Sequence, residues 1–274
     1  MHIWLNGQLL HTAAVRLDVA DRGLLLGDGL FETMRVVEGS PPLLFRHLTR
    51  LKEGARVLGL PVPAVDVKAV LRQLLTANGL REAAVRLTLT RGPGPRGLLP
   101  PAELAPTLLI TASPLPPAPE PIRAVVATVT RRNELSPLSR IKALGYLDQI
   151  LVLREAQERG AEEALMLNTA GRLACGTTAN LFLVHDGTLL TPSLEEGALP
   201  GITRALVLEL APGLGIAARE TPIEPALLAQ AQEAFLTSSL RLLSPLASLE
   251  GRPLPAPGKL ARALTAALRR AASP

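Results

Sequence analysis

The chain has 274 residues, of which 47% are hydrophobic and 19% are charged, a balance typical of a folded globular protein. Its formal charge is +5, but the basic residues are spread along the chain and only 2% of residues are aromatic, which argues against nucleic-acid binding. No apolar run approaches the roughly 18 residues of a membrane-spanning helix, and the first residues do not resemble a signal peptide. We therefore expect a cytoplasmic protein with neither a nucleic acid nor a membrane as partner.

In chain order, the first 113 residues are predicted to form an N-terminal α+β domain. The dipeptide Asn6-Gly7 between apolar runs is typical of a β-hairpin turn. Two helices are predicted from apolar residues at helical spacing, and the second has a capping aspartate, Asp66, and a terminating glycine, Gly79. The other elements predicted here are strands at 30–38 and 42–45, helices at about 46–60 and 66–79, and strands in the segments AVRLTLTRG and TLLITAS.

The proline-rich stretch PLPPAPEP, residues 114–121, is the best candidate for a domain boundary. Five prolines in eight positions keep the chain extended and cannot pair at the centre of a sheet. We predict this stretch as an interdomain linker, followed by a C-terminal domain over 122–274. The elements predicted there are a strand in IRAVVATVT, a helix at 146–159, strands at 163–168, 177–184 and 188–191, a helix after Pro200-Gly201, a strand near 233–237, a hairpin around Glu250-Gly251 and a C-terminal helix. Because strands and helices are grouped, the pattern favours an α+β fold over a doubly wound sheet.

Two charged side chains are candidates for chemistry. Only four of the 29 basic residues are lysines, and Lys142 lies at the edge of an apolar patch ahead of a predicted helix. Such surroundings disfavour a charged amine and suit Schiff-base chemistry, although an ordinary solvated lysine at a helix start fits the same fragment. Arg50 lies on the helix side opposite Leu48 and Leu51, and helix geometry alone therefore predicts that it is solvent-exposed.

Two uncharged segments could bind an anion. The segment GALPGITRALVLEL turns into a helix at Ile202 and Thr203, where backbone N–H groups, a hydroxyl and the helix dipole favour negative charge. The segment AFLTSSLRLL places Thr237 and Ser238 at the end of an apolar strand. Hydroxyl groups there either cap the next turn or bind phosphate, and many helices begin as Ile202 does, so each segment alone remains ambiguous.

Seven segments, in this order, together resemble the class-IV aminotransferase family. They are DRGLLLGDGLFETMRV, HLTRL, TRGPGPRG, IKALGYLDQILVLREAQERGAEEALMLN, GTTANLFLV, TPSLEEGALPGITR and EAFLTSSLRLLSPL. The resemblance covers nearly the whole chain and implies a two-domain, fold type IV enzyme similar to D-amino-acid aminotransferases, with pyridoxal 5'-phosphate (PLP) as cofactor and a homodimer as assembly. The family comprises branched-chain aminotransferases, D-amino-acid aminotransferases and aminodeoxychorismate lyases.

The resemblance also implies roles for residues at matching positions. Lys142 matches the catalytic lysine that forms a Schiff base with PLP, and Tyr146 matches a residue that hydrogen-bonds the phenolic oxygen of PLP. Arg96 matches an arginine that in some members holds a substrate carboxylate, and Phe31 falls where an aromatic ring lines the substrate pocket. The implied cofactor ligands are Arg50, which would bind the phosphate, Lys142, Tyr146, Cys175, Ile202, Thr203, Thr237 and Ser238.

Cys175, the only cysteine, cannot form a disulfide within the chain. The four histidines do not combine with it or with each other at metal-ligand spacing, so we expect no metal site. In the family this position is usually a glutamate that pairs with the protonated pyridine nitrogen of PLP. A neutral thiol would support that charge less, and transamination depends on it more than an elimination does.

Three functions follow from the resemblance. An aminodeoxychorismate lyase, which releases pyruvate and forms 4-aminobenzoate for folate synthesis, is favoured by the segments GDGLFETMRV and TRGPGPRG, by Arg96 and by Cys175. The alternative is an aminotransferase acting on D-amino or branched-chain amino acids, although Leu98 stands where D-amino-acid enzymes tend to carry a histidine. A PLP-binding homologue without catalytic activity is the third reading.

Overall fold

The computed structural model describes residues 1–118 and 120–274, so Pro119 of the predicted linker lies outside the described residues. The described residues divide into two compact units. The first comprises Met1–Pro116, Ile141–Gly145 and Ser273–Pro274, and the second comprises Pro117–Arg140 and Tyr146–Ala272. The short segment Ile141–Gly145 therefore packs within the first unit although it follows the predicted linker by some twenty residues.

The first unit contains a five-stranded sheet in the order β2-β1-β5-β4-β3, with antiparallel neighbours throughout. Its core is formed where apolar residues of the sheet pack with two helices, α2 and α3. The elements of this unit are β1 His2–Leu5, β2 Gln8–His11, α1 Arg22–Leu26, β3 Gly29–Val36, α2 Leu44–Leu58, α3 Val67–Asn78, β4 Ala83–Thr90 and β5 Thr107–Pro114.

Local sequence signals predict most of this unit correctly. The hairpin turn is confirmed, since Asn6 and Gly7 have φ values of 45° and 94° between β1 and β2. The caps of α3 are also confirmed, because the Asp66 side chain accepts from a backbone N–H of the first turn and Gly79 is left-handed. The strand predicted at 42–45 is wrong: α2 begins within this stretch at Leu44, and Pro41 just before it and Pro42 at its start lack the N–H groups that a sheet ladder requires.

The second unit contains a nine-stranded mixed sheet in the order β11-β10-β9-β12-β13-β6-β7-β8, with β14 paired to β13. Most predicted elements are present, which confirms an α+β fold. The meander prediction missed one strand, β8, because its four residues follow a turn and are too few to show a pattern. The elements are β6 Ile122–Val126, α4 Leu147–Glu158, β7 Glu163–Leu167, β8 Leu173–Gly176, β9 Asn180–His185, β10 Thr188–Thr191, α5 Ile202–Leu210, β11 Ala218–Glu220, β12 Glu233–Ser238, β13 Leu242–Leu249, β14 Arg252–Pro253 and α6 Lys259–Ala271.

None of the helices in residues 1–118 and 120–274 has the length and apolar character needed to cross a bilayer. The longest of them, α2, has 15 residues and carries buried polar side chains. That helix leads directly to the candidate site of the first unit.

Candidate active site

The outer edge of β3 holds the backbone of Lys142. Because β3 is the last strand of its sheet, one of its edges can pair with a separate segment. The N–H of Phe31 donates to the carbonyl oxygen of Lys142 at 3.0 Å, and the N–H of Leu144 donates to the carbonyl oxygen of Gly29 at 3.1 Å. This pairing explains why Ile141–Gly145 belongs to the first unit, and it fixes Lys142 beside Phe31.

The side chains of Lys142 and Phe31 also meet. The Lys142 Nζ lies 4.3 Å from the centre of the Phe31 ring, and the Arg86 Cζ lies 3.8 Å from it. Both distances are within the range at which a cation interacts with the face of an aromatic ring. Two residues that the sequence analysis assigns to the cofactor and to the substrate pocket are therefore neighbours.

A buried cluster of three polar residues, Glu32, His47 and Arg50, lies in the same unit. Arg50 donates to Glu32 through Nε at 2.8 Å and through Nη2 at 2.7 Å, which is a bidentate pair. The His47 Nδ1 lies 2.6 Å from the Glu32 Oε2. The three side chains are only 1%, 2% and 9% exposed, so the predicted solvent exposure of Arg50 is wrong.

The charges of this cluster follow from its contacts. Burial would raise the pKa of Glu32, but the hydrogen bonds from His47 and Arg50 and the positive charge of Arg50 outweigh burial and hold the pKa below its usual value. Burial lowers the pKa of His47, and the hydrogen bond to Glu32 only partly opposes this, while the charges of Arg50 and Lys142 lower it further. The cluster thus consists of a carboxylate paired with Arg50 and of a neutral imidazole whose Nδ1–H donates to Glu32.

Glu32 and His47 are not among the predicted site residues, although each follows a visible pattern in the sequence. In LFETMRV, alternate residues face the core, so Glu32 stands on the same side as Leu30 and Met34. A carboxylate on an apolar strand face requires a buried partner. His47 and Arg50 are three residues apart on α2 and share its buried face.

Arg96 is exposed on the loop between β4 and β5. Its side chain has no hydrogen bond or ion pair to any residue in the described ranges. The structure therefore does not bring Arg96 into contact with Phe31 or Lys142 within the first unit. Its guanidinium can therefore donate hydrogen bonds to a carboxylate of another molecule without breaking a contact within the protein.

In the second unit, α5 begins without a side-chain cap. Its N-cap is Gly201, and a Cβ there would lie 1.9 Å from the Asn180 Oδ1, so glycine permits this approach. The Asn180 Nδ2 donates to the carbonyl oxygen of Leu199 at 2.9 Å, and Asn180 also pairs with Thr237 across β9 and β12. Asn180 thereby links the end of β12 to the start of α5.

Two threonine hydroxyls at these positions are buried without a partner. Thr203, in the first turn of α5, and Thr237, in β12, are each 2% exposed, and neither Oγ1 reaches a hydrogen-bond partner among the described residues. Buried polar groups are rarely left unpaired in native proteins. Together with the uncapped start of α5 at the buried residue Ile202, they fit a bound anion such as a phosphate group. Ser238, by contrast, is half-buried and accepts from the N–H of Arg241 at 3.4 Å.

Cys175 lies in β8 opposite Met166 of β7 and is buried in an apolar cluster. Burial raises the pKa of its thiol, and of the two charges that act on it, Arg132 lowers the pKa while Glu163 raises it. The side chain is therefore a neutral thiol. Tyr146 is half-buried immediately before α4.

No group of three or more His, Cys, Asp or Glu side chains in the part of the chain that the structure describes could hold a metal ion. The candidate chemistry instead depends on one amine, one thiol, arginines and hydroxyl groups. These are the residue types that bind and use an organic cofactor with a phosphate group.

Comparison with known proteins gives a consistent result. The family described as amino-transferase class IV matches residues 29–249. A Methanocaldococcus jannaschii protein, provisionally named a branched-chain-amino-acid aminotransferase, is 36% identical over 92% of this chain and 89% of its own length. The crystal structure of Escherichia coli branched-chain amino acid aminotransferase superimposes with a TM-score of 0.93 at 28% identity, covering 99% of this chain and 94% of that one. The 4-amino-4-deoxychorismate lyase of Pseudomonas aeruginosa gives a TM-score of 0.81 at 37% identity, covering 98% of both chains.

These relatives share one cofactor and one fold. Class IV aminotransferases and the lyases related to them are PLP-dependent enzymes, and solved neighbours of this chain include PLP-bound forms. The unpartnered hydroxyls of Thr203 and Thr237 and the uncapped start of α5, all in the second unit, fit the phosphate group of that cofactor. The protein is therefore a fold type IV, PLP-dependent enzyme that belongs to the class IV aminotransferase family.

Proposed function

We propose that the protein is an aminodeoxychorismate lyase, which releases pyruvate from 4-amino-4-deoxychorismate and leaves 4-aminobenzoate. The observation that carries this proposal is the neutral, buried thiol of Cys175 at a position where the family usually has a glutamate. PLP, when bound, accepts electron density from the substrate carbon that loses its proton. A thiol stabilises this electron density less than a carboxylate does. An elimination tolerates the weaker stabilisation better than a transamination does, because the electron pair departs with the enol of pyruvate.

Each predicted site residue has a proposed role in this reaction. The Lys142 Nζ removes the proton from the amine-bearing carbon of the substrate. Arg96 binds a substrate carboxylate through its guanidinium fork, and Phe31 lines the substrate side. The hydroxyls of Thr203 and Thr237, with Ser238 and the N–H groups at Ile202, donate to the cofactor phosphate.

Two further cofactor contacts complete the proposal. Arg50 would bind the phosphate of PLP, and its bidentate pair with Glu32 orients its guanidinium. Tyr146 would donate to the phenolic oxygen of PLP, and Cys175 would lie at the pyridine nitrogen. Folate synthesis is the process that consumes the 4-aminobenzoate.

An aminotransferase acting on branched-chain or D-amino acids is the second candidate. It is supported by the similarity to the Escherichia coli branched-chain enzyme, which has the higher TM-score of the two solved structures. A buried thiol beside the cofactor predicts a slow aminotransferase, because each half-reaction must hold the electron pair until a proton returns.

We also propose that the enzyme is a homodimer. Three consecutive leucines of α1, Leu24, Leu25 and Leu26, are 70%, 61% and 50% exposed, and such a cluster favours burial against a second copy. Size-exclusion chromatography with light scattering tests this assembly. The cytoplasmic location stays a prediction from the sequence.

The deciding experiment compares two activities of the PLP-loaded enzyme. We expect release of pyruvate and 4-aminobenzoate from 4-amino-4-deoxychorismate, with much slower transfer from branched-chain or D-amino acids to a 2-oxo acid. Lys142→Ala should abolish both activities. Cys175→Glu should raise the rate of transamination relative to lyase turnover, whereas Cys175→Ser, which is also neutral, should leave the ratio unchanged.

Transamination faster than lyase turnover in the unaltered enzyme would reject the lyase assignment in favour of the second candidate. Equal responses to Cys175→Glu and Cys175→Ser would show that the charge at this position does not select the reaction. Absence of both activities, with PLP bound through Lys142, would instead support the homologue without catalytic activity.

A further inference from the structure

Arg22 joins the start of α1 to the loop between β4 and β5. Its side chain is only 3% exposed, and each guanidinium nitrogen has a partner. Nε donates to the Asp28 Oδ2 at 2.9 Å, Nη1 to the carbonyl oxygen of Gly97 at 2.9 Å, and Nη2 to that of Leu98 at 2.7 Å. Gly97 and Leu98 directly follow Arg96, so one buried side chain holds the backbone next to the proposed carboxylate-binding residue.

The loop is held at its start by two backbone bonds. The N–H of Arg22 donates to the carbonyl oxygen of Gly92 at 2.9 Å, and the N–H of Gly94 donates to that of Ala20 at 3.2 Å. Both bonds lie before Arg96, whose own side chain has no partner in the described residues. The place of Arg96 therefore depends on the two carbonyl oxygens that Arg22 holds immediately after it.

Arg91 is a suitable control for Arg22, because it pairs with the same Asp28 carboxylate but holds a different part of the backbone. Its Nε donates to the Asp28 Oδ2 at 2.8 Å, but its other nitrogens donate to the carbonyl oxygens of Leu58 and Gly59 at 2.7 and 3.1 Å, at the end of α2. Burial would raise the pKa of Asp28, yet the hydrogen bonds from Arg91 and Arg22 hold it below its ordinary value. One carboxylate thus orients two arginines, of which only Arg22 reaches the Arg96 loop.

We propose that Arg22 is a positioning residue for substrate binding, which holds the loop so that Arg96 can bind a substrate carboxylate. The inference rests on the proposed function, since that function gives Arg96 its role. A guanidinium suits the task because its planar fork reaches two adjacent carbonyl oxygens while a third donor stays on Asp28, whereas lysine has a single nitrogen. Gly94 leaves room for this side chain, because a Cβ there would lie 3.2 Å from the Arg22 Cδ.

The test compares Arg22→Lys with Arg91→Lys in the PLP-loaded enzyme. Both variants keep two positive charges beside Asp28, one arginine and one lysine, but only Arg22→Lys removes donors from the Arg96 loop. We expect Arg22→Lys to raise the KM for 4-amino-4-deoxychorismate about tenfold, with little change in kcat, and Arg91→Lys to change neither. In an Arg96→Met background, Arg22→Lys should cause no further rise in KM.

Limited trypsin digestion gives a readout that does not depend on activity. Trypsin cleaves after the exposed Arg96, and cleavage requires the loop to open locally. We expect several-fold faster cleavage at this bond in Arg22→Lys and an unchanged rate in Arg91→Lys. If Arg22→Lys does not fold, Gly94→Ala replaces it, since the added methyl group would lie 3.2 Å from the Arg22 Cδ and should shift the guanidinium relative to the same carbonyl oxygens.

Unchanged cleavage and KM in Arg22→Lys would overturn the inference, and so would equal effects of Arg22→Lys and Arg91→Lys, which would indicate general destabilisation. Additive effects of Arg22→Lys and Arg96→Met would also overturn it. Absence of lyase turnover in the unaltered enzyme would reject the proposed function instead. The same variants would then be compared through the KM for a 2-oxo acid in transamination, with the same expected pattern.

Discussion

Two buried carboxyl groups, Glu32 in the first unit and Glu163 in the second, are held in different ways. In the first unit, the Glu32 carboxylate accepts two hydrogen bonds from Arg50 and one from His47. In the second unit, the buried Glu163 carboxyl accepts from the backbone N–H groups of Ala164 and Thr177 and is also hydrogen-bonded to the Thr177 side chain. Burial accordingly raises the pKa of Glu163, and these bonds offset it only in part.

Two pairs of buried threonine hydroxyls, one pair in each unit, also differ in whether they have protein partners. In the first unit, Thr90 and Thr107 both donate to the Asp21 Oδ2, at 2.9 and 2.7 Å. In the second unit, the buried hydroxyls of Thr203 and Thr237 have no partner among the described residues. Asp21 thus holds two threonine hydroxyls of the first unit in fixed positions, whereas Thr203 and Thr237 of the second unit keep hydrogen-bonding capacity that a phosphate group can use.

The largest loss of stability is expected when the Glu32 carboxylate of the first unit is removed. Glu32→Ala leaves the Arg50 charge buried without that partner, and breaking a buried ion pair in this way costs about 3–5 kcal/mol of unfolding free energy. Urea titration of the cofactor-free protein measures the loss. Glu162→Ala, which breaks an exposed pair with Arg123, is the control and should change stability little. Equal losses in the two variants would contradict the structural importance of the buried cluster.

The next effect separates stability from cofactor binding. Thr203→Val and Thr237→Val remove hydroxyls without protein partners, so neither should lower the stability of the cofactor-free protein. Each should weaken the binding of PLP about tenfold, as expected for a lost hydrogen bond to a charged group. Thr107→Val in the first unit should do the reverse, with a lower melting temperature and unchanged PLP affinity. PLP titration and thermal melting of the three variants give both quantities.

A Thr203→Ser variant keeps the hydroxyl and should bind PLP as the unaltered enzyme does. Loss of stability in Thr203→Val would show that the hydroxyl has a structural role and would remove it from the phosphate site. Unchanged PLP affinity in both valine variants would have the same consequence for the whole proposed phosphate site.

The sequence predicts local features of both units well and non-local ones poorly. The caps at Asp66 and Gly79 follow from adjacent residues, and the helix start at Ile202 is equally local. The burial of Arg50 depends on Glu32, which lies 18 residues away in another element. No periodicity in α2 contains that information.

The Lys142 segment shows the same limit on a larger scale. Lys142 and Leu144 hydrogen-bond to the edge of β3, more than a hundred positions earlier in the chain. A short segment without periodicity does not reveal such a pairing. The family resemblance supplied the role of Lys142, but the contact with Phe31 required the structure.

A moderate loss of folding stability is expected when the pH falls. The folded-state pKa values of His47 and Glu32 are both below their usual values of 6.5 and 4.5. The unfolded chain therefore binds protons at these groups before the folded chain does, and stability falls first below pH 6.5 and further below pH 4.5. Urea midpoints from about pH 8 to about pH 4 measure this. His47→Gln should remove the upper part of the decline, and an unchanged profile in that variant would contradict the assignment.

The smallest expected effect has the opposite sign and concerns Glu163. Its folded-state pKa is above 4.5, so the folded chain holds this proton longer, and stability is lost as the pH rises from 4.5 through the raised value. Glu163→Gln should therefore stabilise the protein at neutral pH and converge with the unaltered protein in acid, since the amide oxygen can still accept from Ala164 and Thr177. Melting temperatures at both pH values measure the difference. A less stable variant at neutral pH would show that the charge of Arg241 outweighs the cost of burial. Glu163 would then be held in its charged form, as Glu32 is.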